Sequence, residues 1–208
     1  MSTRTTQLVD GASGNLVEAQ LHDELEAQDL LLVERVWSAH RAKLMASLLH
    51  AGVMRRDWPQ SLHWDWGRKA PELKLLVNSA CGLVCQDEWQ ALMITKTQPY
   101  QARLGDDRGK ALVYVDFLEV APWNWPIPQL QQRARFKACG SVLLRQAVAQ
   151  SLSEGFHGRL GLHALPQAES YYERCGMTRI ALDATKEDLA YFEFGRNEAQ
   201  QFHDGRMP

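Results

Sequence analysis

Residues 118–152, LEVAPWNWPIPQLQQRARFKACGSVLLRQAVAQSL, fix more of the fold than any other part of the chain. They read as the end of a buried strand (ALVYVDFLEV, 111–120), a proline-interrupted loop, and a small-residue turn at Ala138, Cys139, Gly140 and Ser141 that opens an amphipathic helix. In that helix Val142, Leu143, Ala147, Val148 and Leu152 recur at helical spacing, while Arg145, Gln146, Gln150 and Ser153 fall elsewhere. The order has a chemical consequence. Amides in the turn and the first helical residues have no intrahelical partner, and the helix dipole adds partial positive charge there. An anion such as a phosphate can be held without long side chains.

The remaining sequence sets the frame. At 208 residues the chain is long enough for one domain with a real core and marginal for two. Its net charge of −2, with both signs interspersed, gives no general basic footprint for nucleic acid. Cys81, Cys85, Cys139 and Cys175 form neither a disulfide framework nor a paired C-x-x-C zinc pattern, so no metal is expected and the thiols read as reduced, in a cytoplasmic protein. The start, MSTRTTQLVDGASGN, lacks the apolar core of a signal peptide, and no apolar run approaches membrane-spanning length.

Residues 1–15 are polar and glycine-containing and read as a flexible tail, as does the polar stretch 195–208. Residues 16–50 read as helical, with a stripe of Leu21, Leu25, Leu32, Val36, Leu44 and Leu48. It packs on a sheet; a dimeric coiled coil is the alternative, although sustained heptads are missing. Trp58, Trp64 and Trp66 then cluster with His63, Asp57 and Asp65, as core plugs or as the mouth of a substrate site. A hairpin follows, with strands at 75–86 and 89–97, and then the 111–120 strand. After the central helix, RLGLHAL (159–165) completes a βαβ unit with parallel strands; its glycine and histidine suit a strand beside a ligand. A short helix begins at Pro166 and closes at Gly176, and strands at 178–182 and 189–194 end the ordered part.

Two groups of residues resemble the GNAT superfamily of acyl-CoA-dependent N-acetyltransferases. Leu118-Glu119-Val120-Ala121-Pro122 fits that family's L-x-V-x-P strand end, and the run from Arg135 to Gly140 fits [QR]-x-x-G-x-[GA], with Ala138 in place of the usual glycine. A turn needing a positive φ resists alanine. The gap from Pro122 to Arg135 is longer than usual, which marks 123–132 as an inserted loop. Downstream, Ala168, Tyr172, Gly176 and Met177 fit A-x-x-x-Y-x-x-x-G-[FM], with Leu165 where an asparagine is common.

The resemblance implies an α/β fold: a GNAT-like mixed, mostly antiparallel central sheet flanked by helices, with a helical N-terminal segment. It places a single domain at 16–194 with a cofactor core at 111–177. It implies transfer of an acetyl group from acetyl-CoA to a primary amine, of a small molecule or a peptide, by direct attack, and leaves a homodimer open. Tyr172 becomes the acid for the departing thiolate, with Tyr171 as the competing residue. Leu118 and Val120 would pair with pantetheine amides, and Arg135, Lys137, Ala138, Cys139, Gly140 and Ser141 would hold the diphosphate. For the base, Asp116 and Glu119 stand on one strand but on opposite faces unless a bulge intervenes. Glu119, nearer the point of splay, is the candidate, and a structural pairing with Arg133 or Arg135 is the alternative. Cys139 has no His/Asp pair to make it a nucleophile. An acyl-CoA-binding sensor of the same fold is the other reading. A nucleotide enzyme lacks its G-x-x-x-x-G-K-[ST] lysine.

Overall fold

The computed structural model describes residues 2–206. The chain is a mixed α/β protein with two compact units. The first takes the residues up to Leu92 together with Glu119–Gly140, and the second takes Met93–Leu118 and everything from Ser141 onward.

The first unit begins with a strand, β1 (Thr3–Asp10), where composition predicts a loose tail. β1 pairs antiparallel with β2 (Leu16–His22) from Thr3↔His22 to Val9↔Leu16. The turn between them is closed by Asp10, whose Oδ1 accepts from the Ser13 amide at 2.7 Å and from its hydroxyl at 2.7 Å. β1 hides from a hydrophobicity reading because Leu8 is its one fully buried side chain; pairing on both edges, not an apolar face, holds it. On its other edge runs β6 (Phe136–Lys137), through Val9↔Lys137 and Asp10↔Phe136.

Helix α1 (Ala27–His50) starts only after this hairpin, so the expected helical start at residue 16 is corrected: strand β2 lies there. The Glu26 amide, at the N-cap, donates to Asp29 Oδ2 at 2.8 Å. Its buried face is Leu30, Val33, Trp37, Arg41, Leu44 and Leu48. The predicted stripe has the right residues in the last turns and the wrong phase earlier: Leu32 and Val36 are 53% and 50% exposed. Apolar residues on both sides of α1 and a charged residue inside it blur the periodicity. β3 (Asn78–Cys85) pairs antiparallel with β2, and β4 (Glu88–Lys96) follows a two-residue turn in which Gln86 and Asp87 are both left-handed, φ 52° and 61°.

In the second unit, β5 (Val113–Val120, its last two residues belonging to the first unit) pairs parallel with β7 (Leu160–Ala164), and α3 (Cys139–Ser153, its first two residues belonging to the first unit) is the crossover, as the βαβ pattern predicts. β9 (Leu189–Phe194) runs antiparallel to β7, and β8 (Thr178–Asp183) antiparallel to β9. The small residue in β7 has an internal cause: a Cβ on Gly161 would lie 2.2 Å from the Tyr191 hydroxyl. His163 is likewise taken up inside the unit, 2.7 Å from the Tyr114 hydroxyl and 3.1 Å from Asp183. The expected C-terminal tail is helix α5 (Arg196–His203), which buries Ala199 and Phe202; its polar faces hid that pair of anchors. Between β7 and β8 lies α4 (Glu169–Arg174). No described helix is long and apolar enough to cross a membrane.

Gly11 tests the ordered N-terminus. Its amide donates to the Arg135 carbonyl at 2.7 Å, and an added Cβ would fall 1.8 Å from the Ala134 carbonyl oxygen. Gly11→Ala is expected to destabilise the protein by about 2–3 kcal/mol in urea unfolding, in the range of other overpacking substitutions. A loose tail would give no change.

Candidate functional site

The small-residue turn is built as a strained entry to a helix. Ala138 has φ 69°, in the left-handed region that L-residues adopt at a cost of about 1–2 kcal/mol, and α3 starts at the next residue. A left-handed residue followed by a helix N-terminus turns successive amides to one side, the geometry of an anion nest. Asn124, 4% exposed, pins the turn: its Oδ1 accepts from the Phe136 amide at 2.8 Å, and its Nδ2 donates to Gln90 Oε1 at 3.0 Å. Gln90, fully buried, also accepts from Trp123 Nε1 at 2.8 Å. The loop at 123–132 is therefore a brace for the turn. Sequence reading missed both amides, although a glutamine within the apolar run of β4 was the available signal.

The other residues of the turn divide clearly. Arg135 is occupied, pairing with Glu88 and donating to Gln86 Oε1 at 2.8 Å. Lys137 is exposed and borders a groove of about 920 Å³ with Gly11, Pro126, Arg133 and Ala134. Cys139 is 2% exposed, and burial pushes its thiol up to about 12, which leaves almost no thiolate at neutral pH. Ser141 Oγ lies 3.2 Å from the Tyr171 hydroxyl. Tyr172, the next residue on α4, is 7% exposed and packs on Phe192, ring centroids 5.9 Å apart. Burial raises both phenols.

On β5 the two acidic candidates separate. Asp116 is ion-paired with Lys96 at 2.6 Å. Leu118 is half-buried, and Val120 packs against Leu44, Leu48, Trp125 and Ile127. Glu119 is 3% exposed, and its partners are not Arg133 or Arg135. Trp66 Nε1 donates to its Oε2 at 2.6 Å, and Arg41 Nη1 stands 3.9 Å from the same oxygen. Burial pushes its carboxyl up to about 7, against the opposing pull of Trp66, Arg41 and Ser61. Trp66 is thus a core plug whose indole N–H also holds Glu119. Trp58 packs at the edge of the core, donating to the Val53 carbonyl at 2.9 Å.

Two expectations follow. Ala138→Gly should raise stability by about 1 kcal/mol, read as a higher urea midpoint at unchanged m, because glycine enters the left-handed region freely; a loss would contradict the strained turn. For Glu119, a folded pKa near 7 against an ordinary 4.5 means the folded state holds the proton longer, so stability falls as pH rises between those values, at most about 1.4 kcal/mol per unit. Glu119→Gln should remove that slope, so the variant gains on the parent between pH 5 and pH 8; parallel stability curves would contradict it.

Neither a family model nor a curated protein matches the chain. Solved structures do. An acetyltransferase of the GNAT family from Listeria monocytogenes aligns with a TM-score of 0.55 over 91% of this chain and 99% of its own, at 11% identity. The PaiA N-acetyltransferase from Thermoplasma acidophilum, solved in complex with coenzyme A, aligns with a TM-score of 0.50 over 84% of this chain and 97% of its own, at 13% identity. The chain has the fold of the GNAT acetyltransferases.

Proposed function

We propose that this chain is an N-acetyltransferase that moves an acetyl group from acetyl-CoA to a primary amine by direct attack. The observation that carries this reading is Glu119: a carboxyl held by an indole N–H and so deeply buried that burial pushes it up to about 7. An ammonium must lose a proton before its nitrogen can attack, and a general base works best when its pKa lies near the working pH. Acetyl-CoA, when bound, supplies an activated acetyl carbonyl on a sulfur leaving group.

The protein's own groups divide the remaining work. The amides from Ala138 to Ser141 would hold the diphosphate, and Lys137 adds a positive charge beside them. Arg135 serves through its backbone, since its guanidinium is taken by Glu88. Leu118 and Val120 offer main-chain groups to the pantetheine arm in the manner of an added strand. Glu119 accepts the proton of the amine. Tyr172 gives its proton to the departing thiolate. The Tyr171 hydroxyl is already engaged with Ser141, which leaves Tyr172 the better donor. The buried, protonated thiol of Cys139 favours direct attack over an acyl-enzyme.

Thiol release from acetyl-CoA across a panel of small amines and peptides, beside native mass spectrometry with coenzyme A, tests the reading. Glu119→Gln should lower kcat/KM about 100-fold or more, and Tyr172→Phe should lower kcat about 10-fold or more at unchanged coenzyme A binding. Coenzyme A binding without turnover on any amine would point to a sensor. Full activity in both variants would remove both assignments.

A further inference from the structure

Glu119 sits in a closed ring of four residues. Arg41 Nη2 donates to Glu34 Oε1, and Nη1 of the same guanidinium lies 3.9 Å from Glu119 Oε2. Trp66 closes the ring, donating through its indole to Glu119 Oε2 at 2.6 Å and through its backbone amide to Glu34 Oε2 at 2.9 Å. Glu34 and Arg41 are seven residues apart, two turns of α1, so the helix presents both from one face. The Arg41 side chain is 5% exposed and that of Glu119 1%. Among the described residues, two atoms of this ring are buried without a hydrogen-bond partner: Arg41 Nη1 and Glu119 Oε1.

We propose that Arg41 is the positioning residue of the Glu119 base, with Glu34 anchoring it, so that the ring occupies Oε2 and leaves Oε1 to take the proton of the amine. This rests on Glu119 acting as the base. A carboxylate buried alone would simply stay protonated, and one paired closely and bidentately with an arginine would stay ionised and be a poor base. Here a single positive charge is shared between two carboxylates, and the longer contact goes to Glu119. With Glu119 ionised the buried group carries one net negative charge; with it protonated, none. The charged groups acting on Glu119 are Arg41 and Glu34 from α1. The 3-10 turn Gln60–His63 contributes the Ser61 hydroxyl and α2 (Trp66–Lys69) the indole, both neutral. Arg41 favours the ion and Glu34 opposes it, so the two levers have opposite signs.

The test is a titration of the Glu119 carboxyl by ¹³C NMR in the full chain labelled at glutamate, its signal assigned by loss in Glu119→Gln. Arg41→Met should raise the midpoint by about one pH unit or more, and Glu34→Gln should lower it. The acid limb of kcat/KM, measured with acetyl-CoA and the best amine of the panel, should move the same way in each variant. Arg41→Lys should bring the midpoint part of the way back. A purely structural ring would shift the midpoints and the melting temperatures while leaving the kinetic limb in place. Midpoints that stay fixed, that move together, or that move without the kinetic limb overturn the proposal. Should Arg41→Met fail to fold, Glu34→Gln decides alone, and an unchanged or raised midpoint sinks the idea. Full turnover in Glu119→Gln would instead remove the base assignment, whatever the midpoints do.

Discussion

The first unit is arranged around the burial of one carboxyl. Taking Glu119 out of water costs more than any single contact near it returns, so the fold must spend other groups on it: the Trp66 indole, the Arg41 guanidinium and, behind that, Glu34. This explains why α1 carries an arginine on its inner face, between Trp37 and Leu44. It also explains why the tryptophan-rich segment after α1 returns to the core, because Trp66 contributes an N–H where an aliphatic side chain could contribute only area. A ring built only to stabilise the fold would be replaced at little cost by apolar side chains of similar volume. A carboxyl kept near pH 7 is what acid–base chemistry uses.

The turn before α3 shows the same trade between local strain and surrounding support. Ala138 takes a backbone conformation that suits glycine, and the strain is tolerated because the turn is fixed on both sides. Upstream, β6 pairs with β1 and Asn124 holds the Phe136 amide; downstream, α3 buries Leu143, Leu144, Ala147 and Val148. The loop at 123–132 is thus a structural part of the turn.

How much of this is legible in the sequence depends on the kind of signal. Strands β5 and β7, helix α3 and the turn between them show plainly, because their apolar runs, period and small residues agree with one another. Strand β1 does not, since its order comes from pairing partners far along the chain, among them residues 136 and 137. Helix α5 escapes for a similar reason: its packing rests on Ala199 and Phe202 within an otherwise polar stretch. At the candidate site, Glu119 and the Ala138 departure stand out from local pattern. The partners of Glu119 do not, as Glu34, Arg41 and Trp66 read locally as a helix surface and an aromatic loop. Periodicity assumes that charged residues face water, and Arg41 breaks that rule by meeting two carboxylates inside.

The pH dependence of a single turnover bears most directly on the claim that a buried carboxyl serves this fold as a base. With saturating acetyl-CoA and amine, the rate of acetyl transfer should climb through a single limb near pH 7, and Glu119→Gln should be slow and flat across the same range. A parent rate that does not change through neutrality, or a limb that survives in the glutamine variant, would show that Glu119 is a structural acid and that the amine loses its proton elsewhere.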